Sequence, residues 1–142
     1  MNNTWLDNLG RVGLIVTLTV AGSRNAIAQI VPDSTLGNEN SVVVPISTQL
    51  EHIQGGALRG RNLFHSFEQF GIQNGHSAYF VNPALVENIF SRVTGANVSE
   101  IFGTLGVLGE ANLYLINPNG IIFGENASLD ITGSFTATTA SR

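Results

Sequence analysis

Ala127-Ser128-Leu129-Asp130-Ile131-Thr132-Gly133-Ser134-Phe135-Thr136-Ala137-Thr138 places an apolar residue or glycine at every odd position and Ser, Thr or Asp at every even one. A period of two belongs to a strand with one side on a core and the other in water. The odd-position preference returns in Ile101, Leu105 and Val107, in Leu113 and Leu115, and in Ile121 and Phe123. Between these runs stand Gly109-Glu110, Asn117-Pro118-Asn119-Gly120, Gly124-Glu125-Asn126 and Gly133, whose residue types make tight corners. Short strands closed by corners, three to a turn of chain, describe the coil of a parallel β-helix. An antiparallel sandwich of hairpins is the rival arrangement.

One coil of this kind buries too few side chains to offset the entropy of ordering its backbone. It must stack on neighbours, and the stack needs covered ends. Upstream, Phe64, Phe67 and Phe70 stand three apart with Leu63 and Ile72 beside them, more aromatic bulk than a regular coil uses. This cluster is expected to plug the first coil, as a short helical turn or a bent strand. Residues 29–40, rich in Pro, Asp, Ser, Gly and Asn, read as a lead-in with turns, and Val42-Val43-Val44 as the first strand. Helical periodicity is weak outside residues 85–93.

Composition narrows the function. The chain is 43% hydrophobic but only 11% charged, against about 25% charged in ordinary soluble domains. Its polar surface is therefore made of Asn, Ser, Thr and Gly. A net charge of -4 and the lack of any lysine argue against a nucleic-acid partner, and Arg59 with Arg61 reads as a solvated turn. Without cysteine there is no disulfide, no thiolate metal site and no Cys nucleophile. His52, His65 and His76 lack the spacing of metal ligands, so neither a metal nor a cofactor is implied; His65 reads as structural. The acids Glu100, Glu110, Glu125 and Asp130 are spread singly, with Arg92 the only base near them. Paired carboxylates for glycosidase chemistry, or a calcium site with a base for lyase chemistry, do not emerge, and the chain is expected not to be an enzyme.

The N-terminus has the order of a secretory signal: Arg11, an apolar run over residues 12–21, then Ala26-Ile27-Ala28. Residues 1–28 are expected to be a signal peptide cut between Ala28 and Gln29, leaving 29–142 as one domain. The apolar run is far shorter than the ~20 residues of a membrane-spanning helix. No second run approaches that length, so stable membrane insertion after signal removal is not expected.

Two motifs remain, Asn82-Pro83-Ala84-Leu85 and Asn117-Pro118-Asn119-Gly120-Ile121. Each reads as a turn: Pro118 fixes one dihedral and Asn119-Gly120 accepts the left-handed region. Asn82-Pro83 could instead cap a short helix, with Leu85, Ile89 and Val93 spaced by four. Together with residues 112–116 and 122–124, Gly55-Gly56, residues 62–67 and 91–95, and the Gly133-Ser134-Phe135 step, the two motifs resemble the filamentous haemagglutinin N-terminal domain, or two-partner secretion domain, from about Val31 to the last residue. The resemblance implies a right-handed parallel β-helix with an N-terminal cap. It implies a secreted or surface-exposed adhesin-like protein that passes the periplasm and is recognised by the periplasmic modules of an outer-membrane transporter. It favours a strand at Asn82, and Ala84 stands where that family more often has Asn. The motif residues are then either read by the transporter or structural turns only. The chain stops about halfway through that family's domain, as a fragment or a truncated relic. A self-standing surface or carbohydrate-binding β-helix is the alternative, and the adhesive ligand is not legible.

Overall fold

The computed structural model describes residues 28–141. The chain opens with β1 (Ile30–Pro32), a single 3-10 turn (Gly37–Glu39), β2 (Ser41–Ser47), β3 (Leu50–Gly55), β4 (Ala57–Arg59) and β5 (Asn62–Phe70). Then follow β6 (Ser77–Val81), β7 (Asn88–Val93), β8 (Ser99–Ile101), β9 (Thr104–Leu108), β10 (Asn112–Ile116), β11 (Ile121–Phe123), β12 (Ser128–Asp130) and β13 (Phe135–Thr138). The sheets are ordered β12-β9-β6-β3-β2 and β13-β10-β7-β5-β1, with a third of β11 and β8; the parallel neighbours lie three strands apart in sequence, except β5 and β7, which lie two apart. The fold is a β-solenoid of about four turns. The number of residues per turn follows from side chains stacked one coil apart, Asn62 with Asn88, Asn88 with Asn112 and Asn112 with Ser134, at sequence separations of 26, 24 and 22.

In-register pairing turns each strand position into a column along the axis. Leu63, Ile89, Leu113 and Phe135 form one inward column, and Ile53, Phe80 and Val107 another. Ile72, Ile101 and Phe123 form a third, on the remaining side. These columns are the core, and their members are buried until the last coil. There Phe123 and Leu129 remain 44% and 47% exposed although their partners Ile101 and Leu105 are fully buried. A coil is sealed only when another lies on each side of it.

The cap is antiparallel. β2 folds back on β3, β4 on β5, and β1 pairs with the far end of β5. Pro45 lies in β2, the edge strand of its sheet, where a missing N–H is tolerated and discourages further pairing. The phenylalanine cluster is not the plug that the sequence suggested. Residues 62–70 form one long strand of the first coil, parallel to β7, with Phe67 and Phe70 inward against Phe80 and Phe64 outward. The aromatic bulk fills the first coils, and β1, β2 and β4 do the capping.

Candidate functional site

Both Asn-Pro motifs are corners, and on different edges of the solenoid. Asn82 follows β6 and leads into β7, while Asn117 follows β10 and leads into β11. The structure therefore does not bring the two motifs together.

At the first corner Asn82 is a brace. Its Oδ1 accepts the Ala111 N–H of the next coil at 2.8 Å, and its Nδ2 donates to the carbonyls of Pro83 and Val86 at 3.0 and 3.2 Å. The Val86 N–H closes the turn on the Pro83 carbonyl. Residues 82–86 are thus neither helix nor strand: Ile89 and Val93 point into the core from β7, and Leu85 points away. Gly109 of the next coil makes room, since a Cβ there would overlap the Asn82 side chain. What the brace holds up is Ala84 and Leu85, both exposed. Leu85 is 76% exposed, and among the described residues it is the one non-glycine with positive φ, at 71°. A left-handed leucine costs roughly 1 to 2 kcal/mol relative to the right-handed region, and here no packing compensates it.

The second corner is inward-looking. Asn117 is fully buried; its Nδ2 donates to the Asn97 carbonyl and the Ser99 hydroxyl, both at 2.9 Å, and its Oδ1 accepts the Asn119 N–H at 2.9 Å. Asn119 donates to the Gly95 carbonyl at 2.7 Å. Gly120, at φ 122°, closes the turn on the Asn117 carbonyl and itself accepts from the Ser99 N–H. Ile121 begins β11, stacked on Ser99. Each polar atom of the Asn117 side chain is occupied by the preceding coil or by the turn itself, and its N–H donates to the Thr138 carbonyl of the next coil, while Pro118 and Asn119 are exposed.

Three further features escaped the sequence reading. Asn62, Asn88 and Asn112 form a ladder, Asn88 and Asn112 donating Nδ2 to the Oδ1 of the asparagine one coil below at 3.1 and 3.0 Å, capped by Ser134. Phe64, Phe90 and Tyr114 stack outside the same sheet at 5.2 and 4.6 Å between ring centroids. Phe64 and Phe90 also line a groove of about 390 Å³ together with Leu36, Arg92 and Ile116. The third is a polar cluster around Asp33. Its carboxylate accepts from the Thr94 and Ser66 hydroxyls at 2.6 and 2.7 Å and from the N–H and hydroxyl of Thr35 at 3.0 and 2.8 Å. Burial pushes the Asp33 carboxyl up, but these hydrogen bonds outweigh it and bring it down to about 2.

Further titratable groups stand singly or in pairs. His65 is buried against Phe67 and Phe80, with Nδ1 at 2.8 Å from the Ser41 hydroxyl, and burial pushes it down to about 4. Asp130 accepts from Tyr79 at 2.7 Å. Among the described residues no three His, Asp or Glu side chains gather as metal ligands. Of the expected signal peptide, Ala26 and everything before residue 28 lie outside the described residues. Ala28 is buried against Gly71, whose N–H donates to the carbonyl of exposed Gln29 at 2.8 Å.

Over residues 28–142 the sequence matches the profile of the TPS secretion domain, the module of two-partner secretion. The chain belongs to this family. Its members are secretion domains of adhesin-like exoproteins, not an enzyme class, and such substrates leave through the outer membrane to the cell surface or the medium. Among known proteins it resembles the heme/hemopexin-binding protein of Haemophilus influenzae, 29% identical over an alignment of 142 residues that takes in 92% of this chain and 14% of that protein. The crystal structure of a filamentous hemagglutinin secretion domain superposes with a TM-score of 0.62 at 23% identity, over 78% of this chain and 42% of that one. The TPS domain described here thus spans a small part of the curated relative it matches. No helix among its described residues is long and apolar enough to cross a membrane.

Proposed function

We propose that this TPS domain carries the recognition element by which an outer-membrane transporter takes up an adhesin-like exoprotein through periplasmic modules, and that the element centres on Leu85. The observation that carries the reading is the contrast between the two corners. Asn117 is consumed by the fold, whereas Asn82 and Gly109 together hold out an apolar side chain in a conformation that costs stability. Exposed leucine at such a position serves a partner better than it serves the solenoid. Residues 1–28 then act as the signal for the inner membrane, and no nucleic acid, metal or cofactor takes part. On this reading Asn82, Pro83, Asn117, Pro118, Asn119, Gly120 and Ile121 shape turns, and Ala84-Leu85 is what the transporter reads.

The test is Leu85→Gly in the natural exoprotein, coexpressed with its transporter. Glycine relieves the left-handed backbone, so folded stability holds or rises by up to about 1 kcal/mol. Release into the medium should nevertheless fall several-fold, to the level seen without the transporter. Unchanged release from a stable Leu85→Gly protein would assign the corner to the fold alone.

A further inference from the structure

The cap and the second coil are tied together by one cluster of five side chains that the secretion reading does not use. Asp33 and Thr35 come from the segment after β1, Ser66 from β5 in the first coil, Arg92 from the end of β7 in the second, and Thr94 from just beyond it. Thr35 and Ser66 hydroxyls meet at 2.9 Å. Arg92 donates Nε to Ser66 and Nη2 to Thr35, both at 2.9 Å, so each hydroxyl stands between the guanidinium and the Asp33 carboxylate. Charge is balanced across the hydroxyls rather than by a direct ion pair. The Thr94 hydroxyl closes the ring on Asp33.

Sequence separations give this cluster its meaning. The β2–β3 and β4–β5 hairpins are local and need little chain to form. Asp33 instead reaches across 33 residues to Ser66 and 61 to Thr94, and Arg92 across 57 to Thr35. β1 has only three residues, one of them proline, and its pairing with β5 shifts register between Val31 and Pro32. Such a strand holds poorly by its own ladder. Besides first-coil partners, the segment after it is held by Arg92 and Thr94, which arrive a full coil later.

We propose that the Asp33–Thr35–Ser66–Arg92–Thr94 cluster is a latch that keeps the N-terminal cap from closing until the second coil is in place, so that residues 28 to 95 fold as one cooperative unit. A chain emerging N-terminus first therefore stays open through its first two coils and then closes in a single step. Later coils add one by one on a finished end. The latch rests on contacts within this chain and stands whether or not Leu85 is read by a transporter.

Hydrogen exchange in graded denaturant, followed by mass spectrometry on the folded mature chain, tests it. In the wild type, amides of residues 30–35 and 88–95 should open together, at one denaturant-dependent rate. Thr94→Val keeps the side-chain shape and removes only the hydroxyl. It should speed exchange at residues 30–35, some 60 positions away, at least tenfold, and Asp33→Asn should do the same, with the double variant no worse than either single one. Thr94→Ser, which keeps the hydroxyl, should exchange like the wild type. The latch is refuted if residues 30–35 already open independently in the wild type, or if Thr94→Val leaves them unchanged. Failure of both Thr94→Val and Asp33→Asn to fold would also refute it, since the cluster would then be a requirement of the whole fold.

Discussion

Replacing Asn117 with alanine separates a structural turn from a recognised one. The side chain is fully buried; besides a longer bond accepted from the exposed Asn119 Nδ2 at 3.1 Å, it makes three bonds of 2.9 Å, donated to Asn97 and Ser99 and accepted from the Asn119 N–H. Alanine removes these three along with the longer, exposed one and leaves the buried Ser99 hydroxyl without that partner. At about 1 kcal/mol net for each bond, the loss is about 3 kcal/mol, a large share of the 5 to 15 kcal/mol that holds an ordinary domain together. Urea denaturation followed by far-ultraviolet circular dichroism should show a lower midpoint with an unchanged slope. Asn117→Asp should cost at least as much, because a carboxylate oxygen then faces the Asn97 carbonyl. Any loss of secretion in Asn117→Ala should follow the loss of stability and recover at lower temperature, in contrast to Leu85→Gly. A destabilisation below about 1 kcal/mol would show that the three bonds do not hold this corner and would refute the reasoning.

Acid should weaken the fold in two stages. His65, ordinarily near 6.5 and held at about 4 in the fold, stays neutral while the unfolded chain takes a proton, so stability falls between pH 6.5 and 4 by about 3 kcal/mol. His65→Gln should abolish that slope in a series of urea titrations. Asp33, lowered from 3.8 to about 2, contributes fully above pH 3.8 and loses its part as pH falls through 2, no more than about 1 kcal/mol because the group is largely solvated. Gly106→Ala should destabilise by about 1 to 3 kcal/mol, since its Cβ would fall on the ring of Tyr79 and break the Tyr79–Asp130 bond; thermal melts and the near-ultraviolet tyrosine signal report it. Asn88→Ala removes the middle rung of the asparagine ladder, two bonds to Asn62 and Asn112, and should lower stability in urea by about 1 to 2 kcal/mol.

Alternation over residues 127–138 told which side chains face inward, because parity survives in a strand. It did not tell that the stretch is two strands, Ser128–Asp130 and Phe135–Thr138, turned at Gly133, whose Cβ would crowd the Glu110 and Ala111 carbonyls. Corner residues were legible at Asn117-Pro118-Asn119-Gly120, where the turn chemistry is local. At Asn82 the local signals offered a turn or a helix cap and the resemblance favoured a strand, and the deciding contact comes from Ala111, in another coil. The asparagine ladder and the aromatic stack were present as a repeat, Asn62-Leu63-Phe64, Asn88-Ile89-Phe90 and Asn112-Leu113-Tyr114, recognisable once the spacing of 26 and 24 is known. The Asp33 cluster has no such signature. Its members share no motif and meet only because the coils stack.

Stacking also explains the composition that first set this chain apart. In an in-register parallel sheet, equivalent residues of successive coils stand about 4.8 Å apart. Two like charges at that distance repel by about 1 kcal/mol even in water, and a column repeats the penalty at every coil. Outward columns are accordingly neutral or mixed: Asn62, Asn88, Asn112 and Ser134 in one, Phe64, Phe90, Tyr114 and Thr136 in the next, His52, Tyr79, Gly106 and Asp130 in a third. Where charges do face each other across coils or cap they are opposite, as in Arg61–Glu87 and Arg59–Glu39. A sequence only 11% charged is thus a consequence of the solenoid, with amide ladders and ring stacks supplying what ion pairs supply elsewhere. The same geometry leaves Phe123 and Leu129 half covered at the last coil. Their columns already point along the axis, so a further coil in register would cover them without rearranging anything below.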